Sequence, residues 1–252
     1  VSIEQNLEDL IKYLEPGTKV PADLSQRWRL YRSLVNVRMP GEMPSAYMEK
    51  ENQLLQAMAE EKGITDIDQL EEIEAGIYLW QGDITTLKID AIVNAANSQM
   101  LGCFCPCHGC IDNAIHTFAG TALRNECANI MRRQGHIEET GSAKITPGYN
   151  LPARYVIHTV GPIINDAVRE ADRQSLRSCY ESSMKLADQY GLAAIAFCCI
   201  STGEFHFPNR LAAEIAVDTV REYQKSSNLK VMFNVFKDQD LQIYEKLLGG
   251  CR

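Results

Sequence analysis

Hydrophobic positions change their spacing once along this chain, near Gly76. Before that point apolar residues recur at helical intervals. Ile3, Leu7, Leu10, Ile11 and Leu14 share one face of a 3.6-residue period that runs until Gly17. Ser2 and Gln5 stand at capping-box spacing ahead of it. A second helix is predicted through Leu24, Trp28, Tyr31, Leu34 and Val35, stopping before Pro40. A third runs from near Ser45 to Gly63 and carries Met48, Leu54, Leu55 and Met58. Asp66, Asp68, Glu71, Glu72 and Glu74 then make Thr65 to Glu74 an acidic, solvated connector.

After Gly76 short apolar runs alternate with amphipathic stretches. Ile77 to Trp80, Ala91 to Val93, Tyr155 to Ile157, Ala194 to Phe197 and Val231 to Val235 read as strands. Helical patterns fill the gaps near residues 110 to 133, 172 to 190, 208 to 226 and 239 to 248. Strands apolar on both faces, separated by helices, predict an α/β fold with a mostly parallel, helix-covered sheet. No internal repeat or low-complexity segment interrupts this order.

Composition narrows the function classes. The 252 residues are 45% hydrophobic and 23% charged, which is globular and not disordered. No apolar run approaches a membrane span. The start, Val1-Ser2-Ile3-Glu4, shows no basic region followed by an apolar stretch, so no signal peptide is expected. Net charge is -8 and the longest basic cluster is Arg132-Arg133, which argues against general nucleic-acid binding. An acidic protein can still hold one anion if backbone N–H groups do the work.

Nine cysteines are present, and four of them fall within Gly102-Cys103-Phe104-Cys105-Pro106-Cys107-His108-Gly109-Cys110. An odd count, with nothing pointing to export, predicts a reducing cytoplasm and metal-binding thiolates. Thiolate sulfur and imidazole suit zinc, and Pro and Gly allow the turns that converge ligands. No second Cys/His knuckle follows. Either all four ligands come from this loop, or three do and one position stays open, as catalysis requires. Two other segments follow strands directly. Asn94 and Asn97 could reach sugar hydroxyls, and Ser201-Thr202-Gly203-Glu204-Phe205, ahead of a helix opened by Pro208, offers converging N–H groups to a pyrophosphate. Both lie at C-terminal strand ends, where open α/β sheets bind ligands.

In order along the chain, these segments resemble the macrodomain family of ADP-ribose-binding modules. The matching residues are Gly82 to Thr85, Ile92 to Asn97, Ile111 to His116, Gly141 to Gly148, Tyr155 to Pro162, and Ser201 to Gly203. The Cys/His loop replaces the family's usual glycine-rich loop. That looks like the zinc-dependent branch, microbial protein-ADP-ribose hydrolases associated with sirtuin-type ADP-ribosyltransferases and lipoate-linked proteins.

The resemblance implies a three-layer α/β/α macrodomain over residues 76–252, with a helical extension at 1–75. It implies one zinc on Cys103, His108 and Cys110, and it assigns nothing to Cys105 and Cys107, which depart from the branch pattern. By the same resemblance Asp83 accepts from the adenine amino group, with Ile84 beside it. Asn97 holds the distal ribose and Asn94 supports that loop. Ile111, Asp112 and Asn113 line the diphosphate and distal ribose, and Ser201 to Phe205 wrap both. Asp112, Asn97 and Asn94 are the expected catalytic residues. The expected activity is release of ADP-ribose from mono-ADP-ribosylated side chains, acidic ones foremost, with a lipoyl-carrier protein as one substrate. Zinc would polarise a ribose hydroxyl or activate water, and the sequence leaves that choice open. A non-catalytic reader and a phosphatase on an ADP-ribose derivative would share the pocket. The extension, lacking candidate site residues, is expected to contribute stability or partner choice and no chemistry.

Overall fold

A computed structural model describes residues 2–249; Val1 and Cys251 lie outside them. Helices α1 (Ile3–Leu14), α2 (Leu24–Val37) and α3 (Ser45–Lys62) open the chain, as the periodicity predicts. Ser2 caps α1 by accepting from the Gln5 N–H, while the Gln5 side chain turns forward to Asp9. Their shared apolar faces enclose a core of Leu7, Leu10, Ile11, Tyr31, Val35, Tyr47 and Leu54.

The larger body is a six-stranded sheet. Strands β2 (Ile77–Gln81), β4 (Ala91–Ala96), β5 (Ala143–Pro147), β6 (Tyr155–Val160), β7 (Ala194–Phe197) and β8 (Lys230–Val235) lie in the order β2-β8-β7-β4-β6-β5. All neighbours pair parallel except β5 with β6. Helices α4 (Ile111–Ala119), α5 (Thr121–Gln134), α6 (Glu170–Gln189), α7 (Asn209–Tyr223) and α8 (Asp238–Gly249) cover it, giving the three-layer α/β/α architecture. Among the described residues no helix is long and apolar enough to cross a membrane.

Three elements differ from the pattern reading. The stretch near 110 to 133 is two helices, because Gly120 at φ +93° breaks it where a Cβ would meet Glu51 and Asn150 at 3.0 Å. Strand β5 was not predicted: Ala143-Lys144-Ile145-Thr146-Pro147 alternates, and its proline is tolerated only because the strand is an edge. The acidic connector is not simply solvated. Its β1 (Thr65–Asp66) pairs with β3 (Leu87–Lys88), and Ile67 is buried in the main core. Leu70 and Ile73 also pack against that core, so three apolar residues among five acids anchor the connector.

Two buried polar side chains join the helices to the sheet body. The Glu51 carboxylate accepts from the Tyr31 and Tyr47 hydroxyls at 2.8 and 3.2 Å, and from Thr121 N and Oγ1 at 3.0 and 2.7 Å. It thereby caps α5, whose own N-cap Gly120 has no side chain to do so. In the other direction, Arg124 Nη1 donates to the carbonyls of Val35, Asn36 and Arg38 at 2.9, 3.0 and 2.6 Å. A cation at a helix C-terminus is favourable because the last carbonyls lack partners.

Candidate active site at the C-terminal strand ends

Parallel pairing puts the C-terminal ends of β2, β8, β7 and β4 along one rim. Asp83 follows β2, the turn from Ser201 to Phe205 follows β7, and Asn97 and the cysteine–histidine loop follow β4. Three strand spacings, about 15 Å, separate the ends of β2 and β4. An elongated ligand laid along this rim would meet every candidate segment in turn.

At the β2 end, Asp83 caps a 3₁₀ turn over Ile84–Thr86, accepting from Thr85 N and Oγ1 at 3.0 and 2.6 Å. Its other oxygen accepts from Lys62 at 2.9 Å. Burial raises the Asp83 pKa, but the Lys62 and Thr85 hydrogen bonds outweigh it and leave the carboxyl below its usual range. Ile84 is buried at 2% exposure and packs into the main core.

The turn after β7 is strained. Ser201 adopts φ +64°, an uncommon conformation for a residue with a side chain, and its buried hydroxyl has no hydrogen-bond partner. Gly161 makes room for it, since a Cβ there would sit 2.0 Å from Ser201 Oγ. No hydrogen bond within the described chain engages the N–H groups of Gly203, Glu204 and Phe205. A phosphate would satisfy such groups.

At the β4 end, the amides converge on one carboxylate. Asn94, fully buried, donates Nδ2–H to Asp112 Oδ1 at 2.8 Å, and Asn97 Nδ2 lies 3.4 Å from Asp112 Oδ2 and 3.1 Å from the Gly102 carbonyl. Asp112 sits in the first turn of α4. Burial pushes its carboxyl up to about 6, against the opposing Asn94 hydrogen bond and the Arg124 charge. Behind Asn94 stands His158. Asn94 Nδ2 is 3.2 Å from His158 Nδ1, and Thr146 Oγ1 is 3.0 Å from His158 Nε2. With an amide donor on Nδ1, the proton belongs on Nε2, which donates to Thr146.

His158 makes the chain acid-sensitive. Burial pushes its pKa down to about 3, whereas the unfolded value is near 6.5. Below about pH 6.5 the unfolded chain binds a proton that the folded chain refuses, so stability falls as pH drops through this window. His158→Gln should remove about 1.4 kcal/mol per pH unit of that slope. Urea unfolding at pH 6 and pH 5 measures it, and an unchanged slope would contradict the neutral, buried state. His116 is held below its usual value chiefly by the same burial, with the Arg124 charge adding to it.

The cysteine–histidine loop brings together three of its five Cys/His side chains. Donor atoms of Cys103, His108 and Cys110 all lie within 4.8 Å of one another. Cys103 Sγ is 3.7 Å from His108 Nδ1. Sulfur and nitrogen sharing a tetrahedral zinc would stand about 3.6 Å apart, from bond lengths near 2.3 and 2.05 Å. The donor set and spacing therefore fit zinc, with three protein ligands and one position open. Cys110 also caps α4, accepting from the Asn113 N–H at 3.4 Å. Burial pushes its thiol up to about 12 with no cation beside it, and a bound cation reverses that preference. His108 Nε2 faces Glu204 Oε1 at 3.6 Å, where a carboxylate would orient the histidine for metal binding. Cys105 is exposed, and Cys107 Sγ turns toward the Arg29 carbonyl at 3.3 Å. None of the eight described cysteines forms a disulfide.

Two features add to the sequence expectation. Asn113 is fully buried and engaged: Oδ1 accepts from Arg32 Nε and Nη2 at 3.2 and 2.7 Å, and Nδ2 donates to the Cys105 carbonyl at 3.0 Å. Its side chain supports the loop and does not line open space, whereas Ile111 is only half-buried. The extension, expected to contribute stability or partner choice and no chemistry, places Arg32 and Asn36 against the cysteine–histidine loop and Lys62 on Asp83. These residues lie far from any motif in sequence, and nothing in their local pattern signals the contact.

A profile of the Macro domain family matches residues 93–216. A protein-ADP-ribose hydrolase of Treponema medium is 49% identical over 239 residues, covering 92% of this chain and 92% of that protein. A probable bifunctional ADP-ribose hydrolase/ADP-ribosyltransferase of Fusarium oxysporum f. sp. cubense is 39% identical, and the match covers 97% of this chain and 43% of that longer one. Among solved structures, the Trypanosoma brucei macrodomain in complex with ADP-ribose superposes with a TM-score of 0.68 at 31% identity, covering 86% of this chain and 95% of that one. With identity this high over nearly its whole length, and with the rim of strand ends built as described, the chain belongs to the macrodomain family of protein-ADP-ribose hydrolases.

Proposed function

We propose that this chain is a zinc-dependent hydrolase that releases ADP-ribose from mono-ADP-ribosylated protein side chains, acidic ones foremost. The observation that carries the reading is the three-donor cluster of Cys103, His108 and Cys110, with room for a fourth ligand and with Asp112 two residues beyond Cys110 in the first turn of α4. A pure ADP-ribose reader has no need of such a cluster.

The rim divides the work. Asp83 accepts a hydrogen bond from the adenine amino group. The free N–H groups of the 203–205 turn and the Ser201 hydroxyl hold the diphosphate, which suits an acidic protein that must bind an anion through backbone dipoles. Asn97 holds the distal ribose, and Asn94 fixes the Asp112 carboxylate through its 2.8 Å hydrogen bond. Asp112 orients a water toward the anomeric carbon and takes its proton as the bond to the side-chain oxygen breaks. Zinc, when bound, supplies a Lewis acid for a ribose hydroxyl or for that water. The products are free ADP-ribose and the restored side chain.

The substrate source follows from kinship and resemblance. The Fusarium relative carries the name of a probable bifunctional ADP-ribose hydrolase/ADP-ribosyltransferase, which supports a transferase product as the substrate here. A lipoyl-carrier protein modified by a sirtuin-type transferase in the cytoplasm is the candidate we favour.

Asp83 gives a binding prediction. Asparagine keeps an oxygen for Thr85 but replaces the second acceptor with a donor. Asp83→Asn should weaken ADP-ribose binding by about 1.5–3 kcal/mol, the range for a hydrogen bond to a charged group. Equal calorimetric affinities for the two proteins would exclude Asp83 from adenine recognition.

Elemental analysis tests the metal directly. About one zinc per chain is expected for a single three-ligand site, with loss of that zinc in a folded His108→Ala protein. A metal-free wild type, or unchanged zinc in the variant, would overturn the proposal.

A further inference from the structure

Residues 103–110 have no regular secondary structure, yet their backbone is held at several points from outside. The holding groups come largely from α2, which belongs to the N-terminal extension. Arg32 Nη2 donates to the His108 carbonyl at 2.9 Å, and the same guanidinium forks onto Asn113 Oδ1. Asn113 passes the connection on to the Cys105 carbonyl at 3.0 Å. Asn36 Oδ1 accepts from the Cys107 N–H at 2.9 Å, and its Nδ2 donates to Thr117 of α4 at 3.0 Å. Cys107 adopts φ +53° and bonds the Arg29 carbonyl through sulfur. The Phe104 ring lies under the Arg124 guanidinium, 4.4 Å from its centroid, and Arg124 also grips the last carbonyls of α2.

We propose that α2 is a clamp that presets the zinc ligands, with Arg32 and Asn36 as positioning residues that act through the loop backbone. This inference rests on the zinc reading above. The contacts fall on Cys107 and His108 themselves, so they fix where the imidazole stands relative to Cys103 and Cys110. Without them, three side chains on an eight-residue irregular loop would have to be ordered when the metal binds, and that entropy would weaken affinity. The clamp also gives Cys107 a task that needs no metal: its N–H and sulfur are tie points for α2. Support behind the ligands of a metal site typically changes metal affinity ten- to a hundredfold.

The test is zinc affinity, measured by competition with a chromogenic chelator on the full chain. Arg32→Met keeps the aliphatic stem and removes the fork. Its zinc dissociation constant should rise about ten- to a hundredfold, and Arg32→Lys, which keeps the charge but not the fork, should fall between it and wild type. Asn125→Ala is the control. Asn125 ties α5 to Gly41 of the extension at 2.8 and 2.9 Å without touching the loop. It should leave zinc affinity within about twofold of wild type, because only the loop contacts preset the ligands. A second readout is hydrogen exchange of residues 103–110 in the metal-free proteins, which should quicken in Arg32→Met and not in Asn125→Ala. Unchanged zinc affinity in Arg32→Met overturns the clamp alone, as does an equal loss in Asn125→Ala. A wild-type chain that binds no zinc overturns the metal reading and the clamp with it.

Discussion

Cys110→Ala is expected to lower ADP-ribose release by at least roughly a thousandfold, about 4 kcal/mol of transition-state stabilisation, while free ADP-ribose affinity falls less than about tenfold. An interaction made mainly with the transition state lowers turnover, and one made equally with the ground state lowers binding. The adenine and diphosphate contacts proposed here lie on Asp83 and the turn after β7, away from the metal. Cys110 has a second task, because its sulfur caps α4 through the Asn113 N–H. Loss of that cap costs about 1 kcal/mol of stability and could shift Asp112 two residues on. Asp112→Ala is therefore assayed beside it. That variant should lose turnover while keeping zinc, since the carboxylate lies outside the donor cluster. Zinc content, ADP-ribose affinity and hydrolysis of both proteins separate the two roles. Normal turnover in a Cys110→Ala protein verified as zinc-free would remove the metal from the mechanism.

Glu51→Ala is expected to destabilise the chain by about 3–5 kcal/mol, the summed cost of leaving several buried donors without an acceptor at about 1–3 kcal/mol each. Glu51 is 1% exposed, and four donors converge on its two oxygens. Alanine leaves two buried tyrosine hydroxyls and the first N–H of α5 without partners. At this chain length the loss should lower the melting temperature by roughly 6–20 °C. Glu51→Gln keeps an acceptor oxygen and should recover part of it. A shift under about 2 °C for Glu51→Ala would mean that the extension and the sheet body are less tightly joined than these contacts imply.

Most of the sheet was legible because its central strands are apolar on both faces. Val93 and Ile157 pair in the interior, and their runs stand out from any helical pattern. The edge strand β5 was not legible, since only Thr146 of its five residues is buried and it ends in Pro147. At the site, the cysteine–histidine loop was legible as a metal candidate from donor chemistry alone. Which cysteines converge was open in the residues, and it is the fold of the loop that brings Cys103 and Cys110 to His108 while turning Cys107 toward α2. The contributions of Arg32, Asn36 and Lys62 could not be read. They depend on how α2 and α3 dock against α4 and the first turn after β2, and hydrophobic periodicity fixes a helix's buried face without fixing its partner. His158 lies within a matching segment whose sequence signals no role for it, because its link to Asp112 runs through Asn94 and exists only once β4 and β6 pair.

The central claim is that a zinc ion in the Cys103–Cys110 loop is needed to release ADP-ribose from modified protein. The most direct measurement is incubation of the purified chain with a mono-ADP-ribosylated protein, detecting free ADP-ribose. It is run with metal-replete protein, with protein stripped by a chelator, and with stripped protein given back zinc or magnesium. The account predicts release by the replete protein, near-complete loss on stripping, and recovery with zinc but not with magnesium. An undiminished rate of release by stripped protein shown to contain no zinc would contradict it.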